Sequence, residues 1–159
     1  MKTKQLLFIL AFTLLIFSCK KDDDYRDAFE GVYSTDITGS MNFPDLLFFF
    51  PYEGSTAVSV NKLSSRELTI IIGGDIWTAT VDKDGNLTIP SESDTFTDID
   101  QETGDKISMN LTVTYTGYIT GKKLYIKESF SGTATYTPYG GKTQNSAIGG
   151  SRAYNGTKK

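Results

Sequence analysis

Histidine is absent from this 159-residue chain and cysteine occurs once. Without His the usual general base is missing, along with His-containing catalytic triads and most zinc sites. A single Cys excludes an internal disulfide framework and any Cys cluster for zinc or iron–sulfur. Positive charge is in the minority: 16 Lys and Arg stand against 19 Asp and Glu, a formal net charge of −3. A nucleic-acid binder would carry a basic stripe, and none is present, so nucleic acid is not expected as a partner. No cofactor-binding motif is found, and no cofactor is assigned. What the chain does have is aromatic residues: 10 Phe and 9 Tyr against 3 Met and a single Trp, a balance that favours strands over helices. The length suits one domain with one modest core.

The only long apolar run is at the start. Lys2 and Lys4 precede Leu6 to Phe17, which is interrupted only by Thr13. A spanning helix needs about 20 apolar residues, so this run is short for a membrane anchor. A basic start, a short apolar core and then a small residue is the layout of a secretory signal, placed here at residues 1–18.

Ile16-Phe17-Ser18-Cys19 resembles the lipobox of bacterial lipoproteins, in which a small residue precedes the Cys that is lipidated. The resemblance implies acylation of Cys19, cleavage just before it, and a membrane partner through the lipid. Two or more acyl chains make a stable anchor, at about 0.8 kcal/mol per buried CH₂. Lys20-Lys21-Asp22-Asp23-Asp24 follows at once. As chemistry it is a solvated tether, assigned to residues 19–28. It is also similar to the acidic export signal of Bacteroidetes surface lipoproteins, which implies an outer-membrane protein displayed on the cell surface. The alternative is an outer-membrane protein that faces the periplasm.

From Phe29 to the C-terminus the apolar period is two. Ile107, Met109, Leu111, Val113 and Tyr115 alternate with Ser108, Asn110, Thr112 and Thr114. A second long strand runs from Leu124 through Ile126 and Phe130 to Tyr136, joined to the first by a hairpin around Gly121. Gly132 within it reads as a bulge or bend. Upstream, Gly31–Thr38, Thr56–Leu63, Glu67–Ile72 and Ile76–Val81 are strand-like. Gly73-Gly74 and Asp82-Lys83-Asp84-Gly85-Asn86 supply tight turns. Tyr139 to Gly150 reads as a loop before a last strand, Ala147 to Thr157. The expectation is an all-β domain over residues 29–159, an antiparallel up-and-down barrel of about eight strands, because closure removes hazardous strand edges.

The opening Phe29-Glu30-Gly31-Val32-Tyr33, together with Gly39 and the closing Ser151-Arg152-Ala153-Tyr154-Asn155-Gly156-Thr157, resembles the calycin-like or lipocalin-like barrels of Bacteroidetes lipoproteins. The resemblance implies an eight-stranded barrel, often with a cavity. The Gly-x-Trp signature of lipocalins is absent, since the one Trp, Trp77, lies mid-chain.

Asn42-Phe43-Pro44-Asp45-Leu46-Leu47-Phe48-Phe49-Phe50-Pro51-Tyr52 breaks the alternation. Burial as a crossover capping one barrel end is the common fate of such residues. The functional readings are a lid that lends Phe48, Phe49 and Phe50 to an apolar pocket, or an interfacial membrane foot. Phe48, Phe50 and Trp77 are the candidate contacts for a small apolar or amphipathic ligand. Asp94 to Asp105 reads as an acidic loop; Asp98, Asp100 and Glu102 have oxygen spacing that suits calcium, but Gly104 falls one place late for an EF-type loop. No metal site is assigned there. Asp36, Asp75 and Glu128 are the candidate carboxylates for hydrolysis, and no Gly-x-Ser-x-Gly motif occurs. Glu128 is in register with inward-facing Ile126 and Phe130, but a bulge near Gly132 would turn it outward. The preferred reading is a non-enzymatic, ligand-binding lipoprotein. A structural protein contacting envelope proteins or glycans through its loops is the alternative.

Overall fold

A computed structural model describes residues 24–159. Cys19, Lys20, Lys21, Asp22 and Asp23 lie outside the described residues, as does the leader. Within them the fold is all-β, with nine strands and two short 3₁₀ turns. The strands are β1 (Gly31–Phe43), β2 (Phe48–Lys62), β3 (Glu67–Ile72), β4 (Asp75–Val81), β5 (Asn86–Thr88), β6 (Glu92–Ile99), β7 (Lys106–Thr120), β8 (Lys123–Thr137) and β9 (Gln144–Lys158).

Every pairing is antiparallel, and the sheet closes into an eight-strand barrel with one extra strand. Neighbours in the chain are neighbours in the wall from β1 to β5 and from β7 to β9, β5 and β6 both pair β7, and β9 pairs β1. The extra strand has a simple origin. Leu87 of β5 sits opposite Gly117 of β7, and Glu92 of β6 sits opposite Val113 of the same β7. The chain thus takes one residue more on the β5–β6 side than on β7, the count of a β-bulge. β5 and β6 are one strand position broken at Ile89-Pro90-Ser91, where Pro90 has no N–H to give a ladder.

The wall is uneven in height. β2, β7, β8 and β9 each run 15 residues, whereas β3 has six and β4 seven. At about 3.3 Å per residue, β3 reaches less than half as far as β2. β3 covers β2 only from Val58 to Lys62, and β4 meets β5 only at Thr80 and Val81. The segment Phe48–Ala57 of β2 and all of β6 therefore each keep one edge without a strand partner. A side window opens between them, closed below by the Gly73-Gly74 turn. Pro51 on one edge and the exposed acidic residues Glu92, Asp94 and Asp98 on the other discourage pairing with a foreign strand.

The core has two parts. The closed end packs Tyr33, Val58, Val60, Leu68, Ile70 and Ile126 among others. It is stoppered by the 3₁₀ turn Tyr25–Ala28, whose N-cap is Asp24. Arg26 is buried there beside Asp24 and bonds the Ser64 carbonyl, while Tyr25 donates to the Val81 carbonyl. Residues 24–28, read from sequence within a solvated tether, are thus packed on the barrel. The open end has a smaller cluster of Met41, Phe43, Phe130, Ala134 and Ile148.

Several sequence readings need correction. Asn42–Tyr52 is not a buried crossover but the far end of the β1–β2 hairpin. Pro44 starts a 3₁₀ turn, Leu47 takes a left-handed conformation (φ 52°), and β2 begins at Phe48. Leu47 is 95% exposed. Asp94 to Asp105 is not one loop, because β6 extends to Ile99. Its outer hydroxyls pair across to β7, Ser93 with Thr112 and Thr97 with Ser108, each at 3.1 Å. Such cross-strand pairs outweigh the acidic composition that suggested a loop. β9 likewise starts at Gln144, inside the stretch read as a loop. Gly132 marks no bulge: the β7–β8 and β8–β9 registers run through it without a slip. It is Gly because a Cβ there would lie 2.0 Å from the Asn110 carbonyl oxygen.

Candidate functional site

With no slip in register, Glu128 keeps the inward direction of Ile126 and Phe130, so the outward-turned reading fails. The strand registers define its neighbours. Tyr52 on β2 faces Gly39 on β1, Gly39 faces Arg152 on β9, Arg152 faces Glu128 on β8, and Glu128 faces Tyr115 on β7. One row across five strands thus places Tyr52, Arg152, Glu128 and Tyr115 side by side on the inner face. Gly39 supplies the gap in this row over which the long Arg152 and Tyr52 side chains meet. A Cβ at Gly39 would be 2.0 Å from the Ser151 carbonyl oxygen, so the close strand approach itself requires Gly.

Glu128 is 1% exposed. Arg152 donates from Nε to its Oε2 at 2.6 Å, and the Tyr154 hydroxyl approaches Oε1 at 3.5 Å. The Arg152 guanidinium lies over the Tyr52 ring at 5.0 Å and the Tyr154 ring at 5.4 Å from the centroids. Burial works to lower the Arg152 pKa, but the hydrogen bond and charge of Glu128 outweigh it, and Arg152 is raised. The phenols of Tyr115 and Tyr154 are pushed above the usual tyrosine range, chiefly by burial and then by nearby carboxylates, Glu92 and Glu128 for Tyr115 and Glu128 for Tyr154. They remain hydroxyl donors at neutral pH. Tyr115 donates to Glu92 Oε2 at 3.2 Å.

Two cavities flank this row. The inner one, about 450 Å³, opens through the side window. Its aromatic wall is Tyr52, Trp77, Tyr115 and Phe130, and its polar groups are Asp75, Glu92, Glu128 and Arg152. Trp77 is 7% exposed, 5.2 Å from Tyr115 and 6.0 Å from Tyr154 between ring centroids. The outer cavity, about 470 Å³, lies at the open end. Leu46, Phe48, Phe50, Ile107 and Tyr136 form its apolar surface, with Asp98, Asp100, Asp105 and Lys106 around them. Phe48, Phe50 and Tyr52 are alternate residues of β2 and share its inner face, so the aromatic surface continues from one cavity to the next. Phe48 and Phe50 form an edge-to-face pair at 4.4 Å and each remain 45% exposed.

The three sequence-picked contacts are therefore not brought into one pocket: Phe48 and Phe50 line the outer cavity and Trp77 the inner one. Of the candidate carboxylates, Glu128 and Asp75 meet at the inner cavity, whereas Asp36 is exposed on the outer face of β1. Sequence reasoning missed Tyr52, Glu92, Tyr115 and Arg152. Alternation alone would have found Tyr115 and Arg152, each an even number of residues from a buried neighbour on its own strand. Ser59 and Lys62 have Ser-x-x-Lys spacing, but three residues along a strand leave them on opposite faces of β2. In the turn after β6, Asp100 accepts from the Glu102 and Thr103 amides, and Asp105 from the Tyr139 amide and Tyr136 hydroxyl. These bonds hold both carboxyls below the usual range and account for the acidic spacing as turn chemistry.

The arrangement suits recognition: an apolar aromatic groove that ends on a fixed, hydrogen-bonded charge pair. No family model matches the chain, and no curated protein matches it. Among solved structures it is similar to a multidomain protein including DUF1735 from Bacteroides ovatus, at 10% identity and a TM-score of 0.30. The match covers 80% of this chain and 49% of that one, so the chain spans about half that protein's length.

Proposed function

We propose that this protein is a lipid-anchored envelope lipoprotein whose barrel holds one small amphipathic molecule in the groove between β2 and the β6–β7 wall. The observation that carries the reading is the aromatic ladder Phe48–Phe50–Tyr52, which faces Ile107 and Tyr115 across two adjoining cavities. Half-exposed aromatic rings lining a concave surface are costly to leave in water and favourable to cover. The apolar part of the ligand lies on Phe48, Phe50 and Ile107. Its polar end reaches the Glu128–Arg152 pair.

The anchor geometry supports a mouth that faces away from the membrane. Cys19 is five residues before Asp24, a reach of at most about 18 Å. Asp24 belongs to the closed end, and the β1–β2 tip lies at the far end of the 13-residue β1, about 43 Å on. A membrane foot at Leu47 and Phe49 does not fit an anchor at Cys19. Exposed Leu47 and Phe49 instead favour the second reading, contact with another envelope component at the distal tip.

Two measurements test the proposal. Cys19→Ala should release the protein from the membrane fraction, and unchanged sedimentation would remove the lipid anchor. Dodecyl maltoside below its micelle concentration should shift the emission of Trp77, and Phe48→Asp/Phe50→Asp should weaken that response about tenfold. An unaltered titration in the variant would place the ligand elsewhere.

A further inference from the structure

The charges around the groove are unbalanced. The two cavities are lined by six carboxylates, Asp75, Glu92, Glu128, Asp98, Asp100 and Asp105, against only Arg152 and Lys106. Arg152 is already committed to Glu128. At the inner cavity this leaves Asp75 and Glu92 without a cationic partner among the described residues, and Glu92 is bonded only by the Tyr115 hydroxyl. Both stand at the window beside Trp77 and Tyr115.

Aromatic faces attract cations through the negative centre of the ring, most strongly for Trp. The cavity already uses this, since its own guanidinium sits over Tyr52 and Tyr154. A second positive group would find Trp77, Tyr115, Asp75 and Glu92 on the opposite side of the same space. A negative headgroup would meet these carboxylates and find Arg152 neutralised. Low-dielectric walls focus the field of the rim charges into the groove, which raises local cation concentration.

Building on the amphipathic-ligand reading above, we infer that the inner cavity selects the charge of its ligand: the groove takes an organic cation, an apolar chain ending in an ammonium group. The chain lies along Phe48 and Phe50, and the ammonium is held between the Trp77–Tyr115 wall and the Asp75 and Glu92 carboxylates.

Three amphiphiles with the same tail separate the charge claim from the ligand claim. Dodecyltrimethylammonium, dodecyl maltoside and dodecyl sulfate are titrated below their micelle concentrations into the full chain carrying Cys19→Ala, followed by Trp77 emission and calorimetry. The ammonium should bind about tenfold more tightly than the sulfate, with the maltoside between them. Asp75→Asn/Glu92→Gln changes two exposed side chains. It should abolish the preference for the ammonium over the sulfate. Equal or tighter binding of the sulfate, or a preference that survives the double substitution, overturns cation selection and leaves the amphipathic reading standing. Failure of all three to bind overturns that reading as well.

Discussion

Replacing Arg152 with Met tests the inner charge pair directly. Met keeps most of the aliphatic volume against Tyr52 and Phe130 but leaves Glu128, 1% exposed, with a single long contact to Tyr154 at 3.5 Å. Stranding one member of a buried ion pair costs about 3–5 kcal/mol. The Arg152 side chain is 29% exposed and the window admits water, so the low end, about 3 kcal/mol, applies here. For a domain of this size that is a fall in Tm of about 10 °C. The assay is urea unfolding followed by Trp77 emission, with the slope checked to confirm an unchanged transition. Glu128→Gln/Arg152→Met removes both charges while keeping an acceptor for Tyr154, and should recover all but about 1 kcal/mol. A loss below about 1 kcal/mol in the single variant, or a double variant no better than the single, would refute the buried-pair argument.

Other regions give independent tests. Leu47→Gly relieves a left-handed backbone at an exposed tip and should add about 1 kcal/mol in urea unfolding. Gly132→Ala forces a Cβ to within 2.0 Å of the Asn110 carbonyl oxygen and should cost about 3 kcal/mol, read as a lowered Tm. Asp24 is held down to about 2 by its hydrogen bonds with Arg26, which outweigh its partial burial. A carboxyl depressed on folding contributes stability above its ordinary value of 3.8 and loses it as pH falls toward 2. Asp24→Asn should therefore flatten the stability profile between pH 4 and pH 2, in unfolding curves collected across that range. Export is best tested with Asp22→Ala/Asp23→Ala, which should protect the protein from protease added to whole cells. Asp24 is kept in that experiment because it also caps the first 3₁₀ turn.

The barrel was legible because period-two alternation is strong in β7 and β8 and the turns at Gly73-Gly74, Asp84-Gly85 and Gly121 are chemically specific. Elsewhere local composition misled. Thr95 and Thr97 belong to a strand because β7 offers the Asn110 amide oxygen and the Ser108 hydroxyl opposite them, information that residues 94–105 do not contain. Gly132 looks the same in sequence whether it bends a strand or admits a neighbouring backbone; only the 2.0 Å approach of Asn110 decides. The candidate site was half legible. Phe48, Phe50 and Trp77 stood out as unusual aromatic residues, whereas the Tyr52–Gly39–Arg152–Glu128–Tyr115 row depends on four registers at once. Such a row can be read only after the barrel is closed. The side window was invisible for a related reason: it follows from the difference in length between β2 and β3, which alternation patterns locate only to within a few residues.

Native mass spectrometry of the chain purified gently from the cell envelope puts the proposed occupancy of the groove to the most direct test. The wild-type domain should carry one small amphipathic molecule, and the Phe48→Asp/Phe50→Asp variant should fly at its bare mass. A wild-type chain that is itself bare, and stays so when dodecyl maltoside is added, would contradict the account.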